Sequence, residues 1–174
     1  MNPSPKVVQW FNQFESGLNT LLALLMWVMA FSLGGVVLLR YGFGYGATWL
    51  NEVAVYCLAI TALLGLSFTY QQDKQVRLDI LYSKFSLKSK LIVNLVGNII
   101  FLIPLSLFLF SYSIDYVERS LLLSEGSAEA SGLPALYLIK TCLLIGPALL
   151  LLRTFIQCYQ QSLLIKKLMN RKKR

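Results

Sequence analysis

Apolar residues in this chain gather into long runs separated by short polar stretches. Ser16–Leu39 holds 24 positions without a charge, Val53–Gln72 holds 20 and Leu91–Ile114 holds 24. A helix needs roughly 20 mostly apolar residues to cross about 30 Å of hydrocarbon, so each run is long enough to span a membrane. A fourth run, Leu133–Tyr159, carries Lys140 near its start and Arg153 near its end. Both side chains are long enough to snorkel toward headgroups, so this segment also counts as a span. Strand-like alternation is not seen over these runs, which disfavours a β-barrel. The pattern predicts an all-α integral membrane protein with four transmembrane helices, at about 16–39, 51–72, 91–114 and 133–159, forming one domain over residues 1–174.

Ahead of the first run, Val7, Val8, Trp10, Phe11 and Phe14 recur at roughly helical spacing. They predict an N-terminal amphipathic helix lying in the membrane interface. The apolar run after it is too long for a signal peptide, and no small-residue cleavage site follows. Trp10, Phe11 and Trp27 are candidate membrane anchors, and Trp49 stands at a span end where an aromatic belt is expected.

Composition agrees with the pattern. The chain is 56% hydrophobic and 14% charged, where soluble domains carry about a quarter charged residues. The absence of histidine excludes bis-histidine haem, histidine-zinc sites and imidazole-based triads. Cys57, Cys142 and Cys158 lie in apolar stretches without paired spacing and read as small buried hydrophobes. The net charge of +8 comes from clustered lysines and arginines. Twelve of them, from Lys6, the 74–90 segment and the tail after Lys166, fall on one side of a four-span topology; Arg40 and Arg119 fall on the other. This bias places both termini in the cytoplasm and assigns the basic charge to membrane surfaces, with no nucleic acid as partner.

An ionisable group at a span is a functional candidate because its burial is costly unless paired. Glu52 opens span two beside Trp49, with Tyr56 one turn later on the same face. It reads either as an interfacial carboxylate close to water or as the partner of a basic group, Arg40 or one on another chain. Asn94 and Asn98, four apart in span three, read as hydrogen-bonding glue between helices. Pro104 and Pro147 predict kinks. Gly34, Gly35, Ala62 and Gly65 permit close helix approach. The outer loop contains Ser124-Glu125-Gly126-Ser127 and Ser131-Gly132-Leu133-Pro134, with turn punctuation before span four. Asp115, Glu118, Glu125 and Glu129 make that surface acidic.

Several of these segments, in this order, resemble the DctQ-like small membrane subunit of tripartite ATP-independent periplasmic (TRAP) transporters. They are Arg40-Tyr41, Trp49-Leu50-Asn51-Glu52 leading into Tyr56, Gly65, Val76-Arg77-Leu78-Asp79, Glu125-Gly126-Ser127, Ser131-Gly132-Leu133-Pro134, Lys140 and Pro147. The outer loop resembles the mannitol/chloroaromatic or 2-oxo acid branch. Gln75 and Ala128-Glu129-Ala130 depart from the family pattern and weaken any inference about substrate.

The resemblance implies a subunit without catalysis or cofactor of its own, in a bacterial inner membrane. Its expected partners are a large DctM-like membrane subunit, a periplasmic substrate-binding protein and membrane lipids. The large subunit would bind sodium ions and move an organic acid by an elevator-type mechanism, with the small subunit as its scaffold. In that frame Arg40, Trp49, Glu52 and Tyr56 are candidate contacts at the outer end of the large subunit, and Arg77 and Asp79 at the cytoplasmic loop. Glu125 and Glu129 are candidate contacts for the binding protein. Two rivals remain at this point: an autonomous four-helix secondary transporter or exporter acting as a homo-oligomer and using Glu52, and a cofactor-free membrane anchor for a redox enzyme.

Overall fold

The computed structural model describes residues 6–72, 85–129 and 131–171. Four helices in it are long and apolar enough to cross a membrane: α1 (Lys6–Phe43), α2 (Thr48–Gln71), α3 (Leu87–Leu122) and α4 (Leu136–Arg171). The fourth is one unbroken helix of 36 residues after the α3–α4 loop. In space α1 packs on α2, α2 on α4, and α4 on α3, so chain order and neighbour order differ. The start of α1 and the end of α4 lie at one end, with the short α1–α2 turn and the α3–α4 loop at the other.

The expected N-terminal interfacial helix is not a separate element. Lys6–Phe43 is one helix of 38 residues, about 57 Å long at 1.5 Å per residue. No proline lies between Lys6 and Phe43, and Ser16-Gly17 is absorbed without a break. Val8, Phe11 and Glu15 share the face that turns inward and is buried. Phe11 is therefore a packing residue at this end, not a membrane anchor, whereas Trp10 and Trp27 on other faces are exposed. At the far end Gly44 adopts φ +64°, the left-handed conformation that only glycine takes at no steric cost. There the Tyr45 amide donates to the Leu39 carbonyl over 3.0 Å.

The two prolines act differently. Pro104 has no N–H to give to the carbonyl four residues back, and directly before it the chain widens into a π-helical turn, Asn98–Leu102. The Ile103 amide bonds the Asn98 carbonyl across that turn. Pro147 sits inside α4 without ending it and is fully buried. Beside it, a Cβ on Gly146 would stand 2.6 Å from the Leu63 carbonyl oxygen of α2. This crossing is closer than those at the glycines singled out from sequence. Gly35 faces only the Leu50 side chain, Gly65 leaves ordinary contact with Leu22, and Gly34 meets nothing within 4 Å.

Burial is inverted relative to a soluble domain. Buried positions include Ser67, Ser106, Ser113, Ser120, Thr154, Asn98 and Gln161, while Phe31 is 74% and Phe101 73% exposed. Ser106, Ser113 and Ser120 recur every seven residues along the buried face of α3, which packs on α4. Small residues at that spacing let membrane helices approach closely. Ser106 and Ser113 hydroxyls are satisfied by the Leu102 and Leu109 carbonyls, at 2.7 and 2.6 Å.

Gly146→Leu is expected to push α2 and α4 apart and cost about 1–3 kcal/mol, the usual range for overpacking. Thermal unfolding in detergent checks this, with Gly34→Ala expected to melt like the parent.

Candidate functional site

Two polar layers cross the bundle, one at each end. Fifteen residues of α2 separate Glu52 from Ser67, about 22 Å of helix, so both layers fit within or at the edges of a 30 Å hydrocarbon slab.

At the terminal end the chain buries a charge pair. Glu15 on α1 is 1% exposed and Arg153 on α4 is 5% exposed. The guanidinium Nη1 lies 3.3 Å from Glu15 Oε2 and donates to Asn12 Oδ1 over 2.7 Å. The Ser67 hydroxyl of α2 donates to Glu15 Oε1. Gln71 Nε2 donates to the same Asn12 oxygen over 3.1 Å. A second branch joins α2, α3 and α4: Tyr70 donates its hydroxyl to Asn98 Oδ1 over 2.5 Å, and Asn98 Nδ2 approaches Gln161 Oε1 at 3.5 Å. Arg153 thus does not snorkel to the headgroups, because its stem runs into the bundle and its charge is met there. Glu15 is the carboxylate that hydropathy did not single out; it lies one residue before the uncharged run, where a polar residue reads as flank. The expected glue role of Asn98 is realised, through Tyr70 and Gln161.

At the loop end Glu52 acts as a staple. Its carboxylate accepts from the Ser127 hydroxyl and from the Leu133 amide, holding the α3–α4 loop to α2. A Cβ on Gly132 would stand 2.5 Å from Glu52 Oε1 and closer still to Ser127, so this turn has room only for glycine. Arg40 forms no ion pair with Glu52 among the described residues; it is exposed in the last turn of α1, where a cation favours the helix dipole. Tyr56 follows Glu52 by one turn, with its hydroxyl buried and without a hydrogen-bond partner among the described residues. Trp49 is partly exposed at the same level.

The loop is fastened a second time by Glu125 and Lys140, 2.5 Å apart. Ser120 also donates to Glu125 over 2.7 Å, and the ammonium sits 4.3 Å from the Tyr116 ring centre. Lys140 thus has its counter-charge within the chain and does not need to reach for headgroups. Of the two acidic residues assigned to a docking partner, Glu125 is engaged internally and Glu129 is exposed. Arg77 and Asp79 lie outside the described residues.

From the Tyr70–Asn98 branch of the terminal layer toward the middle of the bundle, a mainly apolar cleft of about 760 Å³ opens between α1 and the π turn of α3, floored by α2. No group of three or more histidine, cysteine, aspartate or glutamate side chains is placed to hold a metal among the described residues.

Removing one member of the buried pair strands the other charge, which costs about 3–5 kcal/mol. Arg153→Met and Glu15→Gln are each expected to destabilise strongly, and the double variant to regain much of the loss. A double-mutant cycle of unfolding in micelles reads this as a large coupling. Hydrogen bonds from Lys140, and then from Ser120, hold the Glu125 carboxyl below the ordinary glutamate value of 4.5. A depressed folded value stabilises the loop above the unfolded value and loses that contribution as pH falls through the folded one. Hydrogen-exchange protection factors in the 123–135 loop, corrected for the intrinsic pH dependence of amide exchange, are therefore expected to hold from neutral pH down to about 4.5 and to fall only below it.

Comparison with known proteins adds the family. No curated protein matches this sequence well enough to count as a relative. A family model described as the DctQ component of tripartite ATP-independent periplasmic transporters matches residues 29–163. That stretch holds α2 and α3 whole, both ends of the Glu52 staple, the Glu125–Lys140 pair and Arg153. With four membrane-length helices and most of its length matched, the chain belongs to the DctQ family of TRAP transporter components.

Proposed function

We propose that this chain is the stationary small permease subunit of a TRAP transporter. It scaffolds a large elevator-type subunit that takes up an organic acid with sodium ions, delivered by a periplasmic binding protein. The family match carries the reading, because a component so defined works with a membrane partner and a binding protein. The chain's own construction supports the scaffold part. Its interior charges pair with one another across α1 and α4, and its outer loop is stapled to α2 and α4. Such an interior holds helices in fixed register and leaves large apolar faces on α1 and α3 for lipid and partner.

In this reading both termini and the basic tail are cytoplasmic, at the inner membrane, and sodium and substrate sites belong to the large subunit. Exposed Glu129, Asp115 and Glu118 form the surface turned to the binding protein. Arg40, Trp49 and Tyr56 stand at the outer end of the subunit contact, and Arg77 and Asp79 belong to the loop on the other side. The rival reading, an autonomous carrier, requires a membrane carboxylate free to change partners. Glu15 is such a carboxylate by position, but Arg153 and Ser67 hold it.

Proteoliposomes test the reading. Sodium-gradient uptake of the organic acid captured by the binding protein is expected only when both membrane subunits and the binding protein are present. Uptake by this chain alone would overturn it.

A further inference from the structure

We propose that the cleft between α1 and α3 seats a transmembrane helix of the large permease subunit, one that carries a hydrogen-bonding side chain at mid-membrane depth. The proposal rests on the scaffold reading and adds the face through which that contact is made.

The cleft's volume is about 760 Å³, and its α2 floor runs from Thr61 to Tyr70, about 13 Å or two to three helical turns. The floor and wall are cut low by Ala62, Gly65 and Gly97. A Cβ on Gly97 would meet nothing within 4 Å, and one on Gly65 only a Leu22 methyl at 3.8 Å. Gly146, by contrast, is consumed by the chain's own α2–α4 crossing. The space over Gly65 and Gly97 is therefore unused by internal packing, and small residues are what allow a second membrane helix to come close. Phe101, strongly exposed, supplies lateral apolar contact on the α3 wall.

Polar atoms in the cleft decide the occupant. Asn19 on the α1 wall is part-exposed to the cleft and makes no hydrogen bond among the described residues, so it is the group an incoming side chain can reach; Thr61 Oγ1, in the floor, is covered by the chain itself and is likewise without a partner among them. Thr61 lies about 13 Å along α2 from Glu52 and about 9 Å from Ser67, in the apolar zone between the two polar layers. Unpaired polar groups are costly in hydrocarbon. An acyl chain offers neither donor nor acceptor at that depth, whereas an amide or hydroxyl side chain on a packed helix offers both.

The test co-expresses the tagged chain with the large permease subunit of the same transporter, purifies in mild detergent and measures the subunit ratio by quantitative mass spectrometry. Ala62→Phe fills the cleft from an exposed position, and Asn19→Leu keeps size while removing the amide. Ile145→Phe places the same aromatic side chain on an exposed face of α4 away from the cleft. Circular dichroism and the melting point of each variant alone establish that it folds. Recovery of the large subunit is expected to fall about tenfold or more with Ala62→Phe, about three- to tenfold with Asn19→Leu, and to stay near the parent value with Ile145→Phe. Undiminished recovery with Ala62→Phe overturns the proposal. So does a native mass spectrum in which Ala62→Phe keeps the large subunit and loses a phospholipid, which would make the cleft an acyl-chain site. Failure of the parent chain to retain the large subunit would instead overturn the scaffold reading itself, and this proposal with it.

Discussion

A carboxylate and a guanidinium buried together in a low-dielectric interior constrain the rest of this molecule. Neither charge is stable alone in hydrocarbon, and each is nearly withdrawn from solvent. Glu15 lies 138 positions before Arg153, so their pairing ties the first helix to the last. Asn12 accepts from Arg153 and Gln71, and Ser67 donates to Glu15, which brings α2 into the same joint. The N-terminal turns of α1 are thereby part of the bundle, although their aromatic pattern resembles that of a surface helix.

The opposite end is solved with the same physics and different parts. Glu52 holds the loop through a hydroxyl and a backbone amide, and Glu125 holds it through Lys140. Between the two layers the helices meet through small residues: the serine repeat of α3 against α4, and Gly146 against the Leu63 carbonyl. Without a hydrophobic drive between helices in lipid, close van der Waals contact and satisfied polar groups do the holding. The large side chains are left outside, on faces that meet acyl chains or another protein.

This division of labour is what the proposed role of a fixed subunit calls for. Moving parts need interfaces with two comparable arrangements, whereas the interior charges here have one set of partners each. The unused space lies on the flank, in the cleft beside the π turn that Pro104 induces. Short-range chemistry in α3 thus shapes the surface on which a neighbour would act.

Span count, helix type and family were written in the sequence, because hydrocarbon demands about 20 apolar residues per crossing whatever the packing. The Glu52 and outer-loop segments were legible as motifs, and the seven-residue spacing of Ser106, Ser113 and Ser120 was there to be read as a packing face. Helix boundaries were less so, since hydropathy marks what lipid touches and α1 and α4 continue well past it. Pairing was not legible at all. Arg153 near a span end has the same local pattern whether it snorkels outward or turns inward. Only the helix neighbour order, α1 on α2 and α2 on α4, brings Glu15 within reach and decides the matter. Likewise Glu52 had Arg40 as a plausible partner by level, and the fold gave it Ser127 and the Leu133 amide instead. One dimension determines which residues must be buried; the crossing of helices determines which of them meet.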